Sequence, residues 1–263
     1  EGPRGKATLL DGDTGPSLDD VPAFRRCDPY SLSLWVSCPD AKSRATILHT
    51  SHFTIEADQQ GYQLMLKDGM LSWEIIHVWP GSAAAIRTTQ PFPLGRWVHV
   101  TATYDGSSRA DGLRLYLDGA PAPTEVLQDH LDGPATVRAL QIGFRDRDVG
   151  FRGGAVADLR VFDRELSALE AAELLAPGSV NAAQDLRAFD YFVHTVDPAC
   201  RQARAELRDA RRAHQDLLES LPEIMVMHRA RAAKPRFVLT RGRYDAPDPA
   251  RPVRPDRALE SIL

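Results

Sequence analysis

Apolar and polar residues alternate at period two through most of the first 165 positions. Residues 30–37 place Leu32, Leu34 and Val36 on one side and Ser31, Ser33 and Trp35 on the other. Residues 97–104 and 113–117 repeat the pattern, divided by Asp105-Gly106 and closed by Asp118-Gly119. Residues 7–10, 45–49, 62–66, 70–78, 137–143 and 155–162 read the same way. Successive side chains of a strand point to opposite faces, so each run predicts a half-buried strand. Residues 11–15 and 67–69 read as turns, because Asp and Gly tolerate the positive φ that tight turns need. Many short strands separated by turn residues predict an all-β domain, a sandwich of antiparallel sheets.

Beyond Asp163 the period changes. Ser167 with Glu170 three residues later forms a capping box, and the helix it starts should stop near Pro177-Gly178. Leu186, Phe189, Phe192, Val193 and Val196 share a helical stripe. From Pro198 to Leu221 the residues Cys200, Ala203, Leu207, Ala210, His214, Leu217 and Leu221 form a seam at alternating spacings of three and four. Ala and His weaken that seam as a coiled coil. The expectation is an antiparallel helical hairpin, packed on itself or on the sandwich. After Pro222 repeated prolines and few large apolar residues predict an extended segment. The organisation expected is a sandwich over 1–178, a helical hairpin over 179–222 and an extended Pro-rich linker over 223–263 leading to a following domain.

Composition narrows the functions. A hydrophobic content of 43% in 263 residues is ample for a core. Residues 1–180 carry 17 Lys+Arg against 24 Asp+Glu, or −7, and residues 181–263 carry 15 against 12, or +3. Neither part is basic enough to suggest a nucleic-acid partner. There is no apolar run long enough to span a membrane. Cys27, Cys38 and Cys200 allow at most a Cys27–Cys38 bridge, and the sequence has no C-x-x-C-H haem motif. The opening Glu-Gly-Pro, without Met or signal peptide, is what a piece of a longer protein would show.

Three stretches carry a family resemblance. Trp97-x-His99-Val100-x-x-x-Tyr104-Asp105-Gly106, followed by Leu113-x-Leu115-Tyr116-x-Asp118-Gly119, resembles the laminin-G-like, concanavalin A-like lectin/glucanase superfamily. Residues 144–154 and then Asp158, Arg160, Val161, Phe162, Arg164 and Leu166 are similar to that module's terminal strand. The likeness covers about residues 7–175. Residues 220–227 and 235–245 resemble the segment after a lectin-like insertion in large planctomycetal secreted proteins with cytochrome-c-like domains. The resemblance implies a jelly roll with a C-terminal helical appendage in a secreted or periplasmic parent. It implies a polysaccharide or glycan partner, together with the parent's flanking domains.

Candidate chemistry follows from both readings. Glucanases of this superfamily pair two carboxylates about the glycosidic bond in a strand motif E-x-D-x-E or E-x-D-x-x-E. Here Glu56 and Asp58 are followed by Gln60 and Gly61 at the two possible third positions. Neither can donate the required proton, so a polar turn before Tyr62 is the simpler reading. The resemblance implies a structural Ca²⁺ held by Asp158 with Asp11 and Asp13, since Ca²⁺ prefers hard oxygen donors. The alternative is ordinary Asp turn chemistry. Trp79 and His77, with Arg145 and Arg147 in the loop that follows residue 144, are the candidate sugar contacts. The alternatives are aromatic packing and a salt-bridged loop. Trp35 and Trp97 are expected in the core. The function expected is a non-catalytic carbohydrate-binding or interaction module, then a scaffold for flanking domains, then a degenerate glycoside hydrolase. The chain should therefore release no sugar from laminarin or similar β-glucans. Turnover that disappears in a Glu56→Gln variant would sink that expectation.

Overall fold

The computed structural model describes residues 1–51, 60–135, 139–178, 187–222, 236–242 and 246–253. Glu56, Asp58 and Leu186 lie outside the described residues. The chain divides into two units, Glu1–Leu221 and Pro222–Leu263.

Two antiparallel sheets build the first unit. One has the strand order β1 (Thr8–Leu9), β13 (Ala155–Phe162), β3 (Tyr30–Ser37), β8 (Trp97–Tyr104), β9 (Leu113–Leu117) and β10 (Ala120–Pro121). The other runs β11 (Thr124–His130), β7 (Ser82–Thr88), β6 (Met70–Val78), β5 (Gly61–Lys67), β4 (Arg44–His49), β12 (Leu140–Ile142) and β2 (Ser17–Leu18). Leu32, Leu34 and Val36 of the six-stranded sheet and Leu64, Leu66, Trp73 and Ile86 of the seven-stranded sheet share one core. Asp68 and Gly69 (φ 51° and 77°) turn β5 into β6, and Asp118 and Gly119 (φ 48° and 72°) turn β9 into β10. These are the two-residue turns that positive φ permits. Most of the period-two runs thus become strands at nearly their expected limits; the run at 7–10 shortens to Thr8–Leu9, and that at 137–143 is a strand over Leu140–Ile142, with 137 and 138 outside the described residues. Strands β7 and β11 have no such signal. Ala83, Ala84 and Ala85 of β7 are buried, while β11 is a largely exposed edge strand.

Trp35 and Trp97 depart from expectation. Both are half-buried on the outward face of the six-stranded sheet, because the period that sends Leu34 and Val36 inward sends Trp35 outward. Trp35 lies against His99, with ring centroids 5.1 Å apart. Cys27 and Cys38 are free thiols, both buried.

Helix α1 (Ala168–Leu175) begins at the expected capping box, with the Ser167 hydroxyl and the Glu170 side chain each bonded to the other's backbone. Ser31 fixes its approach by donating to Arg164 O at 2.9 Å and accepting from Leu166 N at 3.0 Å. Arg4 Nη2 donates to Leu174 O at 2.6 Å and Leu175 O at 3.1 Å, placing a cation at the negative end of the helix. Helix α2 (Ala188–Tyr191) continues into a π-helical turn at Phe192–Val196. Helix α3 (Pro198–Ser220) follows, capped by Asp197.

Helix α3 turns a different face inward from the one its apolar seam predicts. Leu207, Leu217 and Leu221 are 49%, 60% and 54% exposed, so the seam faces solvent. Phe189, Phe192 and Val196 are likewise exposed. The inward row is the seam displaced by one residue: Arg204, Arg208, Arg211 and Gln215. Arg211 Nη1 donates to Asp105 O at 3.0 Å, Arg212 Nε to Asp28 at 2.7 Å, and Arg204 Nη1 to Glu165 at 3.4 Å. Arg25 reaches out to Asp216 at 2.5 Å. The sandwich surface here is acidic (Asp28, Asp105, Glu165), so it selects guanidinium groups over leucines. In the second unit, β14 (Arg236–Leu239) pairs antiparallel with β15 (Pro247–Val253).

Half-exposed ion pairs are weak and screened by salt. Amide exchange across Pro198–Ser220 should therefore be faster than in β3 and β8, and should accelerate between 50 and 500 mM salt while the strands stay unchanged. Salt-independent protection of the helix would show that its docking does not rest on these pairs.

Candidate functional site

The outward face of the seven-stranded sheet concentrates polar chemistry. Gln63 of β5 stands directly opposite Glu74 of β6, and both are fully buried. Glu74 accepts from Gln63 Nε2 at 2.6 Å and from Lys67 Nζ at 2.5 Å. Trp79 follows β6 and folds back so that its half-buried ring lies 4.9 Å from Lys67 Nζ, a cation–π contact. The Lys67 ammonium is thus held between a carboxylate and an indole.

The loop after β12 supplies the rest. Arg145 is 4% exposed. It donates to Gln63 Oε1, to Ser51 Oγ at 3.1 Å and to Asp148. Arg44 of β4 grips Asp148 from the other side with two bonds, at 2.6 and 2.8 Å. Burial raises the Asp148 carboxyl, but the hydrogen bonds from Arg44 and Arg145 outweigh it and hold the group well below the usual carboxylate range. Burial lowers the Arg145 guanidinium against the pull of Asp148. His49 closes the network, with Nδ1 2.7 Å from Ser51 O and Nε2 2.9 Å from Phe144 O. Burial, aided by Arg145, pushes the His49 ring down to about 4.

The structure sorts the expected residues into three groups. Trp79 and Arg145 meet on this face, joined through Lys67, Glu74 and Gln63. His77 has other partners: its Nδ1 lies 2.7 Å from Pro134 O and 3.3 Å from Gln60 Nε2. Gly133 makes room for it, as a Cβ there would sit 2.1 Å from the ring. Arg147 has positive φ, at 58°, and points into solvent beside Asp146. Sequence reasoning did not select Lys67, Glu74 or Gln63. Their signal was polar residues at alternate positions of two adjacent strands, on the face opposite Leu64, Leu66 and Trp73.

The three aspartates proposed for Ca²⁺ do not form a donor set. Thr8 pairs with Val156 and Leu9 with Ala155, so the antiparallel register carries Asp11 and Asp158 toward opposite ends of the β1–β13 pair. Asp11 is spent on its own turn, accepting from Asp13 N at 2.8 Å and Thr14 N at 2.7 Å. Asp13 pairs with Arg152 at 2.5 Å. Asp158, at a bulge with φ 49°, takes Arg160 on both oxygens at 3.0 Å and Arg4 at 3.5 Å. A divalent cation there would meet two guanidinium groups. Among the described residues no group of three or more His, Cys, Asp and Glu side chains is placed to hold a metal. Among the same residues no helix is long and apolar enough to cross a membrane.

The sequence profile of the concanavalin A-like lectin/glucanases superfamily matches residues 10–172. The chain belongs to that superfamily. No curated protein matches the chain. Among solved structures, a carbohydrate-binding domain of the Ruminococcus gnavus IT-sialidase, bound to α2,3-sialyllactose, is similar with a TM-score of 0.50 at 13% identity. That match covers 65% of this chain and 97% of the other. Domain 4 of an extracellular arabinanase from Geobacillus stearothermophilus, in complex with arabinotriose, is similar with a TM-score of 0.47 at 23% identity, covering 66% and 78%. The botulinum neurotoxin serotype G binding domain gives 0.43 at 14%, covering 64% of this chain and 46% of that one, so the match spans about half of its length. At these identities the likeness is one of fold. The superfamily match ends at residue 172, so α2 and α3 lie outside it.

Two buried imidazoles set the acid limit of this fold. His99, 2% exposed with its Nε2 2.9 Å from Ser33 Oγ, is pushed down to about 4 by burial, as His49 is. Free imidazole in the unfolded chain takes its proton near 6.5, whereas the folded rings resist until about 4. Their contribution is complete above pH 6.5 and falls away as pH drops through that window. Unfolding free energy should fall by roughly 2 kcal/mol or more between pH 7 and pH 5. Equal denaturant midpoints at the two pH values would show that both rings titrate normally.

Proposed function

We propose that this chain is a non-catalytic carbohydrate-binding module of a larger secreted protein, and that it meets its glycan at the Trp79 edge of the seven-stranded sheet. The observation that carries the reading is the half-exposed Trp79 ring, immobilised over Lys67 beside the buried Glu74–Gln63–Arg145 network. A fixed aromatic plane suits the apolar face of a pyranose, and rigid polar neighbours suit its hydroxyls. Arg145 then serves as a positioning residue for Gln63 and Glu74, and Arg147 as a peripheral contact. The binding domains that share the fold support a binding role; the secreted parent rests on the resemblance alone.

A second reading has its own observation. The exposed Leu207, Leu217 and Leu221 on α3, with Phe189 and Phe192 nearby in the chain, are the kind of apolar surface that marks a protein contact. On this reading the module holds flanking domains of its parent together.

Glycan-array screening followed by affinity electrophoresis tests the first reading. Trp79→Ala should weaken the best polysaccharide hit at least tenfold, about 1.4 kcal/mol. Retention unchanged in Trp79→Ala, or an array with no hit, would refute binding at this edge.

A further inference from the structure

Two adjoining hollows lie where α3 meets the sandwich, of about 140 and 360 Å³, sharing Pro29, Glu165, Arg204 and Arg208. Arg211 lines the smaller hollow, and Arg164 and Arg201 line the larger. Arginines thus outnumber the acidic residues of the lining, which are Asp105, Asp163 and Glu165. Arg204 is committed in part, to Glu165 at 3.4 Å and to the His194 ring. Among the described residues Arg208 has one ion-pair partner, its sequence neighbour Asp209, whose Oδ1 lies 3.5 Å from Nε. That Nε is shielded from solvent, and the Asp209 contact is an ion pair that does not make a hydrogen bond, so Nε has none among the described residues. The rest of the half-exposed guanidinium is open to the cleft, and a ligand oxygen there would give the shielded N–H the hydrogen bond it lacks. Burial also pushes the Glu165 carboxyl up against the pull of Arg204.

The spacing points to the ligand. Arg201, Arg204 and Arg208 follow one another at three and four residues along one side of α3, a rise of about 4.5 to 6 Å per step. That step is close to the length of one pyranose unit in an extended chain. Guanidinium forks bind carboxylate and sulfate oxygens in pairs. We propose that this cleft binds an acidic polysaccharide, with the anionic groups of successive sugars on Arg201, Arg204 and Arg208. Neither Phe, Tyr nor Trp is among the residues lining it, so it lacks the stacking surface that single-stranded nucleic acids use. The site is separate from the Trp79 face and does not depend on it.

Isothermal titration of the intact chain with oligogalacturonate, a heparin-derived oligosaccharide and neutral laminarin oligomers tests the proposal. At least one acidic probe should bind, more weakly as salt is raised, and which one binds tells carboxylate from sulfate ester. The double variant Arg201→Gln/Arg208→Gln leaves the tethers from Arg204, Arg211 and Arg212 in place. It should lose at least tenfold in affinity, while Arg152→Gln, which removes a cation on a different surface, should not. Circular dichroism confirms that α3 persists in the variant. The proposal fails if no acidic probe binds at millimolar concentration, if the double variant binds as the parent does, or if a single-stranded oligonucleotide of equal charge binds more tightly. Laminarin binding bears on the Trp79 face alone.

Discussion

The sandwich depends on the aromatic cluster that joins its two sheets. Trp73 of the seven-stranded sheet is fully buried, and its Nε1 donates to Thr103 O of the six-stranded sheet at 3.1 Å. Tyr30 sits at the centre, with ring centroids 5.0 Å from Tyr62, 5.5 Å from Tyr104 and 5.9 Å from Trp73, and with Phe24 stacked on it at 4.6 Å. Trp73, Tyr30, Tyr62 and Tyr104 are the largest fully buried side chains among the described residues, and their stacked or edge-to-face pairing adds about 0.5–1.5 kcal/mol per pair. The Tyr104 hydroxyl gives the cluster a polar exit, donating to Arg26 O and accepting from Ser108 N at 2.7 Å. The relative position of the sheets is thereby fixed by the interior, which frees both outward faces to carry polar chemistry.

That freedom has been used differently on the two faces. On the seven-stranded sheet, Gln63, Glu74, Arg145 and Asp148 are buried and bonded to one another. Such a network is stable only when each member is satisfied, because an unpaired buried charge costs several kcal/mol. Lys67 and Arg44 complete it at the solvent edge, and this leaves the Trp79 ring as the exposed part of a rigid surface. On the six-stranded sheet the outward face holds Ser33, Trp35, His99, Thr101 and Thr103. Trp35 Nε1, His99 Nδ1, Thr101 Oγ1 and Thr103 Oγ1 have no hydrogen-bond partner among the described residues. This face is looser in its polar accounting and is overlaid by α1, where the Cα of Ala172 lies 2.9 Å from where a Gly119 Cβ would be.

Most of the sandwich was legible because period two and the Asp-Gly turns are local signals. Strand β7 was not, since three of the seven residues of Ser82–Thr88 are consecutive alanines and alanine has no strand preference of its own; its neighbours β6 and β11 make it a strand. The polar outward face of the seven-stranded sheet was half legible. Trp79 and Arg145 stand out as residue types, but Glu74 and Gln63 acquire meaning only when β5 and β6 are in register. The aspartates named for calcium show a related limit. Resemblance identified Asp158 and neighbouring aspartates, while the partners that decide a carboxylate's role, Arg4 and Arg160 among them, come from parts of the fold that local sequence does not place.

The helix α3 shows the same limit most sharply. The seam that carries Leu207, Leu217 and Leu221 steps at three and four, and so do Arg201, Arg204, Arg208 and Arg211 one position later; the sequence holds two seams about 100° apart on one helix. Hydrophobicity alone selects the leucines, each worth roughly 1.5–3 kcal/mol when buried. The surface to be covered decides otherwise. Packing leucines over Asp28 and Glu165 would strip those carboxylates of water with no counter-charge, at a cost of several kcal/mol for each. Turning the arginines inward pairs the acids and lets the aliphatic stems of Arg204, Arg208 and Arg211 cover Pro29 and its surroundings. The leucine seam is then left outside by electrostatic necessity. The helix therefore presents two unlike surfaces at once: a cationic cleft toward the sandwich and an apolar ridge toward solvent.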